Sequence, residues 1–241
     1  MPLIVCSKKQ ELGLKTFSLL KEKKANVVLI EDSPLNLTSI PQETDLLVFC
    51  STHKSVTSSP CFTTHAPGNF TDALHGGEPR ALAFSSGTAI RNAFTFFQKQ
   101  NLLPSVMEAT HHGPTSLNKP CVFVELGSTV KEWSDGALCE FLTEACIHVA
   151  ETHLPAETSA IGFGGTHYCS AFLKLALKQP FSFICPKHAL ASLDEVMLRQ
   201  MIEKSVERVD KAFIDKKGCA SEARKKLLVL LEKASLNYEF V

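Results

Sequence analysis

Short apolar runs alternate with longer amphipathic segments along most of this chain. Seven runs predict strands, at 3–7, 26–30, 45–50, 81–85, 121–126, 159–163 and 181–185. Six amphipathic segments predict helices, near 10–24, 88–102, 135–152, 168–178, 193–206 and 220–235. Strands that are apolar on both sides and separated by helices indicate a mostly parallel sheet that is covered on both faces. The predicted fold class is therefore α/β, with a mostly parallel or mixed sheet flanked by helices.

The chain of 241 residues is long enough for one large α/β domain. It contains no internal repeat and no Gly/Ser-rich linker that would divide it. Residues 51–79 are rich in proline and threonine, and this stretch is too long for an ordinary connection. We therefore predict a single domain over residues 1–241, in which the insertion 51–79 can form a small lobe.

Charge and cysteine content exclude several classes of protein. Basic and acidic residues both number 25, so any surface for nucleic acid must be a local patch. No apolar run approaches the ~20 residues that span a bilayer, and the first residues do not resemble a signal peptide. The nine cysteines are scattered, which is typical of reduced, buried thiols. We predict a soluble cytoplasmic protein with no membrane or DNA partner, as a monomer or a weak homodimer.

Polar motifs follow four of the predicted strands. They are His53 after 45–50, the Ser-Gly-Thr of 86–88 after 81–85, Glu125 at the end of 121–126, and His167 after 159–163. In parallel α/β sheets, ligands bind beyond the carboxyl ends of the strands. Groups that are distant in sequence are therefore expected to meet at one edge of the sheet.

Glycine-rich turns accompany two of these motifs. The backbone amides of Gly164 and Gly165 could hold a phosphate or stabilise an oxyanion. The turn at 86–88, with Arg91 one helical turn later, offers the same chemistry. Such glycines also serve as ordinary turns, so neither motif by itself indicates a ligand.

Five histidines lie in predicted loops, beside two glutamates. The histidines are His53, His65, His111, His112 and His167, and the glutamates are Glu108 and Glu125. If residues 108–112 form a helical turn, Glu108, His111 and His112 share one face; if they are extended, Glu108 pairs with His112. A lone histidine in a loop is usually a hydrogen-bonded spacer, but five together favour a functional cluster. No His-Glu-x-x-His signature is present, so the pattern allows a metal site without requiring one.

Five stretches carry a resemblance to a known family. They are "STHKSVTSSPCFTTHAPGNF" (51–70), "MEATHHGPTS" (107–116), "CVFVELGSTVKEW" (121–133), "IGFGGTHY" (161–168) and "CPKHAL" (185–190). In order and spacing they resemble the archaeal- and plant-type D-aminoacyl-tRNA deacylases. The resemblance implies hydrolysis of the ester that joins a D-amino acid to the 3′ end of tRNA. It also implies zinc as a cofactor and an α/β fold of the phosphorylase/hydrolase type with features like peptidyl-tRNA hydrolase.

The resemblance also implies a set of site residues. The positions carried over are His53, His65, Asn69, Glu108, His111, His112, Glu125, Glu132, Gly164, Gly165, His167 and Tyr168. We expect the catalytic groups to be His111, His112, Glu125, His167, Gly164 and Gly165. The candidate zinc ligands are His53, His65, Glu108, His112 and Glu125. The remaining expected substrate contacts are His53, His65, Asn69 and Tyr168, joined on physical grounds by Pro67, Pro114 and Lys187.

An aminoacyl ester is already activated, so its hydrolysis needs a positioned water, a base and an oxyanion site. A neutral imidazole with a pKa near ~6.5 suits the base role, and we expect His111 or His112 to lie nearest the attacked carbonyl. A zinc ion could instead lower the pKa of the water to about 7. The amides of Gly164 and Gly165 are expected to hold the oxyanion.

Proline turns and local basic residues extend this prediction. Pro67 and Pro114 lie in stiff turns beside the histidines, so they could form a rigid wall that rejects L-amino acids, or they could only set loop shape. Lys187 and the basic run 224–226 are candidate tRNA contacts.

The chain departs from the family pattern at three places. Thr52 stands where the family usually has an arginine. After Tyr168 the family usually has Ala-Pro and a basic residue, whereas this chain continues with Cys169 and Ser170, and Phe183 lies where a Gly-His pair is usual. The lost basic groups and the lost histidine could weaken or redirect tRNA binding.

Three alternative functions fit the same residues. The first is a phosphorylase- or peptidase-type metallohydrolase on a similar sheet. The second is a cysteine hydrolase that uses Cys61, Cys50 or Cys169 beside a histidine. The third is a non-catalytic tRNA- or zinc-binding protein.

Overall fold

Two sheets organise the protein, as shown by a computed structural model that describes residues 1–55 and 59–241. The described strands are β1 (Leu3–Ser7), β2 (Val27–Ile30), β3 (Leu47–His53), β4 (Cys61–His65), β5 (Gly68–Asn69), β6 (Ala81–Leu82), β7 (Ser105–Met107), β8 (Cys121–Gly127), β9 (Thr158–Phe163), β10 (Phe181–Cys185), β11 (Arg208–Ile214) and β12 (Asn237–Phe240). The described helices are α1 (Gly13–Glu22), α2 (Gly87–Phe97), α3 (Val130–Ser134), α4 (Gly136–Thr152), α5 (Leu173–Ala176), α6 (Glu195–Glu203) and α7 (Ser221–Lys233).

The larger sheet has six strands in the order β2-β1-β3-β8-β4-β7. All of its neighbouring strands run parallel except β4 and β8, which are antiparallel. The smaller sheet, in the order β10-β9-β11-β12, is parallel throughout. These pairings confirm the predicted mixed α/β class, although the strands divide between two sheets.

Several predicted elements were wrong in extent or missing. The strand predicted at 81–85 contributes only β6, which pairs with β5 outside both main sheets. Five strands were not predicted, namely β4, β5, β7, β11 and β12. These segments are short or mix polar and charged residues with apolar ones, so their strand character depends on their partners. Because β4 belongs to the larger sheet, residues 61–65 of the stretch 51–79 do not form part of a separate lobe. Residues 56–58 of that stretch lie outside the described residues.

The two faces of the larger sheet differ in their cover. Strand residues such as Val48 and Val122 point to the face that α1, α2 and α4 pack against, where they join one large apolar core. Their neighbours Phe49 and Phe123 point to the opposite face and belong to a smaller cluster. All nine cysteines are buried, which confirms the prediction of buried apolar thiols. Within residues 1–55 and 59–241, no helix has both the length and the apolar character that crossing a bilayer requires.

A buried carboxylate caps the N-terminus of α2. Glu207 accepts hydrogen bonds from Ser86 Oγ at 2.7 Å and from the backbone amides of Gly87 and Thr88, each at 2.9 Å. Negative charge at a helix N-terminus is favourable because it satisfies free amides and opposes the helix dipole. Of the two interpretations of the turn at 86–88, the structure therefore favours an ordinary turn, because the protein's own side chain occupies those amides.

We expect Glu207→Gln to lower the free energy of unfolding by about 1–3 kcal/mol, because it removes the charge and turns an amide N–H towards other donors. Urea denaturation measures the change. The matched control is Glu203→Gln, at an exposed position on α6, for which we expect a change within about 0.5 kcal/mol. Equal midpoints for Glu207→Gln and the wild type would contradict the capping role.

Candidate active site

Strand register places polar side chains together on the face of the larger sheet that carries the smaller apolar cluster. Ser51 on β3 and Thr63 on β4 both pair with Glu125 on β8, so the three side chains lie on one face. His53 and His65 are two residues further along their strands and share that face. Thr63 Oγ1 donates a hydrogen bond of 3.3 Å to Glu125 Oε2. The site therefore includes side chains on one face of the larger sheet as well as groups at the edge of that sheet.

The segment after β7 joins the two sheets beneath this site. The backbone amide of Glu108 donates to Thr64 O at 3.1 Å, within the larger sheet. The amide of Ala109 donates to His167 O at 2.8 Å, and that of Thr110 donates to Ile184 O at 3.0 Å, both on the side of the smaller sheet. The carboxyl ends of β3 and β9 are brought together in this way, as predicted for His53 and His167.

The chain turns sharply after this extended segment. His112 has a positive φ of 47°, an uncommon conformation for a residue with a side chain and one that concentrates at functional sites. His111, directly before this turn, lies beside Glu108, with Nε2 at 3.7 Å from Oε2. Neither a regular helical turn nor an extended strand describes residues 108–112, because the segment changes conformation at the histidine pair.

Four imidazoles surround the carboxylate of Glu108. His53 Nδ1 lies 3.0 Å and His167 Nε2 lies 3.6 Å from Oε1. His65 Nε2 and His111 Nε2 lie 3.8 Å and 3.7 Å from Oε2. Both oxygens are buried, and neither makes a hydrogen bond of good geometry within the described part of the chain. A buried carboxylate without hydrogen bonds is costly, so this cluster has the character of a site for a cation or a proton.

Backbone carbonyls set the orientation of three histidine rings. The Nδ1 atoms of His65, His111 and His112 lie 3.1, 2.8 and 2.7 Å from the carbonyl oxygens of Ala66, Ala109 and Gly113. A carbonyl only accepts, so each Nδ1 carries a proton, and in the neutral ring each Nε2 offers a lone pair. Metal-binding histidines are usually oriented in this way.

Three overlapping groups of side chains have the spacing of metal ligands. They are His65 with His111 and His112, His53 with Glu108 and His167, and His65 with Glu108 and Glu125. In each group the ligand atoms lie within 4.8 Å of one another. The imidazole and carboxylate donors are those that zinc accepts.

Burial and neighbouring charges give the members of this cluster different protonation states at neutral pH. Burial lowers the pKa of His112 to about 3, and it lowers the pKa of His111 well below the usual range. Burial would also lower the pKa of His65, but the carboxylates of Glu125 and Glu108 outweigh it and raise the pKa. Burial opposes ionisation of Glu125, yet the neighbouring imidazole of His65, whose Nε2 lies 3.4 Å from Oε2, lowers its pKa to about 2. At neutral pH, Glu125 is therefore ionised and His112 is neutral.

Thiols near the cluster are protonated at neutral pH. Burial, with the charges of Glu108 and Glu125, raises the pKa of Cys61 to about 12. The pKa of Cys169 is raised by burial, and that of Cys50 by a hydrogen bond with Cys146. Only the thiolate is an effective nucleophile, so these raised pKa values argue against the cysteine-hydrolase alternative.

A cavity of about 770 Å³ opens over the histidine cluster. On the cluster side it is lined by His53, His111, His112, Glu125, His167 and Tyr168. The Tyr168 hydroxyl lies 3.2 Å from His53 Nε2. On the other side the cavity is lined by the loops after β1 and β2, with Lys9, Gln10, Glu11 and Ser33. A second cavity of about 160 Å³ shares His75, His111 and His112 with the first.

Several predicted site residues lie away from the larger cavity. The Gly164 amide donates to Cys185 O at 2.9 Å, so its predicted role in holding an oxyanion is wrong. Gly165 and Lys187 line neither cavity. Glu132 belongs to the capping box of α3, which explains its position without a ligand.

The loop residues among the predictions have structural contacts. Asn69 Nδ2 donates to the carbonyls of Gly76 and Glu78, although Asn69 also borders the smaller cavity. Pro67 and Pro114 are buried and line neither cavity, which favours their interpretation as residues that set loop shape. His75, which is not among the predicted site residues, lines both cavities.

Sequence reasoning missed the residues on the far side of the larger cavity. Gln10 and Lys9 follow β1, and Lys54 follows β3. The rule that ligands bind beyond the carboxyl ends of strands applies equally to β1, and it could have identified these residues. They lack the histidine and glycine signatures that drew attention to the other strand ends.

Comparison with known proteins supports one family. A family profile described as D-aminoacyl-tRNA deacylase matches residues 40–239. A D-aminoacyl-tRNA deacylase from Ignicoccus hospitalis is 39% identical over 197 residues, which cover 80% of this chain and 79% of that protein. The same-named protein of Sulfurisphaera tokodaii is 34% identical, with coverage of 81% and 83%. That of Methanocaldococcus jannaschii is 31% identical, with both chains fully covered.

A solved structure shares the fold. It is a conserved protein described as of unknown function, with a TM-score of 0.91 and 24% identity. The superposition covers 100% of this chain and 95% of that one.

The pKa shifts predict how stability depends on pH in the metal-free protein. Below a pH of about 6.5, the unfolded chain protonates His111 and His112, whereas the fold holds them neutral. The unfolded state then binds more protons, so we expect the free energy of unfolding to fall between about pH 6.5 and 5. His65 has the opposite effect, because its raised pKa stabilises the fold fully below about pH 6.5, and this contribution is lost as the pH rises through the pKa of the folded state.

Urea denaturation at a series of pH values measures this dependence. We expect His112→Gln to flatten the slope below about pH 6.5, since glutamine does not titrate. His188→Gln, at an exposed position, is the control and should keep the wild-type slope. An unchanged slope for His112→Gln would show that His112 is not held neutral.

Proposed function

This chain belongs to the D-aminoacyl-tRNA deacylase family, and we propose that its histidine-carboxylate cavity is the catalytic site. The chain is a hydrolase that cleaves the ester bond of D-aminoacyl-tRNA and releases the free D-amino acid and tRNA. The observation that supports this location is the buried Glu108 carboxylate, ringed by four imidazoles where the larger cavity opens. We further propose that the enzyme acts in the cytoplasm as part of translation quality control.

We propose that the cluster holds zinc. Glu108 Oε1, Glu108 Oε2 and His65 Nε2 are buried polar atoms without hydrogen-bond partners in the described chain, as expected for atoms whose partner is a cation. The neutral state of His112 also suits a ligand, because metal binding requires the unprotonated imidazole. The residues that would hold the metal belong to overlapping groups and are drawn from His53, His65, Glu108, His111, His112 and Glu125. When bound, zinc would supply a Lewis acid for the ester carbonyl and its attacking water.

The pKa shifts change which histidine is suited to act as the catalytic base. A group with a pKa of about 3 is a poor base at neutral pH, so His112 is better suited to hold a ligand than to remove a proton. We assign the base role to His167, whose side chain is 44% exposed in the cavity while Nε2 faces Glu108. The nearby carboxylate would stabilise the imidazolium that forms when His167 takes a proton from water. Tyr168 and His53 form the neighbouring wall and orient the ester.

Deacylation of matched D- and L-aminoacyl-tRNA tests the function and the site together. We expect the wild type to release the D-amino acid, and the His111→Ala/His112→Ala variant to be at least ~100-fold slower. His148→Ala is the control, because His148 packs against Phe96 on α2, away from the cavity. Activity of the double variant within twofold of the wild type would mean that these histidines are not catalytic. A wild type that releases no amino acid would favour a phosphorylase, a peptidase or a non-catalytic binder.

Zinc content provides a test that does not depend on activity. We expect purified wild-type protein to contain zinc by elemental analysis, and Glu108→Gln to bind zinc at least ~10-fold more weakly after chelation and titration. Glu140→Gln, at an exposed position on α4, is the control and should bind zinc like the wild type. Equal zinc affinity of Glu108→Gln and the wild type would remove Glu108 from the ligand set.

A further inference from the structure

Thr63 gives the carboxylate of Glu125 a support that Glu108 lacks. Thr63 Oγ1 donates a hydrogen bond of 3.3 Å to Glu125 Oε2, whereas neither oxygen of Glu108 has a well-aligned donor among the described residues. His65 Nε2 and His53 Nδ1 lie 3.4 and 3.8 Å from Glu125 Oε2, but neither makes a hydrogen bond of good geometry with it. Within the described part of the chain, Thr63 is therefore the one hydrogen-bond donor to Glu125.

Strand pairing fixes this contact. Thr63 on β4 lies directly opposite Glu125 on β8 in an antiparallel pair. Side chains of directly opposed residues share a face and begin about 4.5–5.5 Å apart, so a threonine hydroxyl can reach the carboxylate without any change in the backbone. Both residues are almost fully buried, and β4 is itself held between β8 and β7. The position of the hydroxyl is therefore set by the sheet and not by a loop, which makes it a precise support for a site.

The next residue of β4 shows that strand formation does not require the hydroxyl. Thr64 is as deeply buried as Thr63 and points to the opposite face of the sheet. Its Oγ1 has no hydrogen-bond partner in the described part of the chain. Branching at Cβ is what favours threonine in a strand, and valine shares that branching. The bond from Thr63 to a buried carboxylate therefore has a purpose beyond the strand.

The bond from Thr63 orients the carboxylate of Glu125. The terminal torsion of a glutamate has broad preferences, so its carboxylate is not oriented by the rotamer alone. Thr63 holds Oε2 on the side of His65, which belongs with Glu108 and Glu125 to a group that has the spacing of metal ligands. Hydrogen-bond partners of this kind orient metal ligands, and their loss typically costs about 10–100-fold in metal affinity or activity.

We propose that Thr63 is a positioning residue, which orients the Glu125 carboxylate for a zinc ion in the cluster. This inference rests on the proposed function, because it requires that the cluster hold zinc. Thr63 lines neither cavity, so its effect on the reaction passes through Glu125 and not through a contact with the substrate.

Calorimetric titration of the metal-free protein with zinc chloride tests this role without any hydrolysis. We expect Thr63→Val, which removes the hydroxyl at nearly constant volume, to bind zinc at least ~10-fold more weakly than the wild type. Thr63→Ser keeps the hydroxyl and should bind zinc within about threefold of the wild type. Thr64→Val is the matched control, because it removes a buried hydroxyl without a partner in the described chain, and its zinc affinity should stay within about twofold. Equal zinc affinity of Thr63→Val and the wild type, or an equal loss in Thr63→Ser, overturns the inference.

A double-mutant cycle shows whether Thr63 acts through Glu125. In the Glu125→Gln background, we expect Thr63→Val to change zinc affinity by less than about twofold, because the charged ligand that it orients is gone. A ~10-fold loss in that background as well would mean that Thr63 acts through another group, which overturns the inference. Thr63→Ala takes the place of Thr63→Val if valine prevents folding. If neither variant folds and Thr63→Ser does, the hydroxyl serves the fold itself, and the positioning role is overturned.

Deacylation of D-aminoacyl-tRNA by the same proteins separates this inference from the proposed function. An active, zinc-binding wild type whose zinc affinity Thr63→Val leaves unchanged overturns the positioning role alone. A wild type that releases no amino acid, but loses zinc affinity through Thr63→Val and not through Thr64→Val, supports the positioning role and overturns the proposed function alone. A wild type that deacylates without binding zinc overturns the zinc assignment and the positioning role together.

Discussion

The carboxylate of Glu108 is the group around which the whole site is arranged. A buried charge is tolerated only where opposite charge or hydrogen bonds compensate it, and several kcal/mol are at stake. The chain supplies four imidazoles within 3.8 Å but no well-aligned hydrogen bond from the described residues. The compensation must therefore come from protons or from a metal. This requirement explains why histidines from separate strands converge on one acidic residue.

Backbone pairing makes that convergence rigid. Glu108, Ala109 and Thr110 donate successive amide hydrogen bonds to the two sides of the site, so one short segment holds both sheets in register. The histidines that follow are oriented by carbonyls of their own loops. Rigid, oriented rings reduce the reorganisation that binding or catalysis would otherwise require. The same hydrogen bonds that complete the fold therefore also prepare the site.

The two glycine-containing turns show how similar motifs can have different uses. Both present backbone amides of the kind that bind anions, and both follow a strand or an extended segment. Glu207 accepts from the amides of the turn at 86–88, and Cys185 O accepts from Gly164, so these amides are not available to a substrate. Gln10, in a segment without such a signature, instead has an amide oxygen without a partner in the described chain. Whether a polar group is available depends on the partners that the fold supplies.

The sequence by itself determined the α/β class and the strands β1, β3, β8 and β9, because these follow from local apolar runs. It also determined that His53, Glu125 and His167 meet, because the ends of parallel strands share one edge of a sheet. It also identified Glu108 and the histidine pair as site residues. Only the tertiary structure decided the division into two sheets, the strand character of β4 and β11, and the position of His111 beside Glu108. It also decided which amides remain free, since Glu207 and Gly87 are 120 residues apart. Such outcomes depend on contacts between distant segments, and the local periodicity of a chain carries no information about which distant partner a polar group will find.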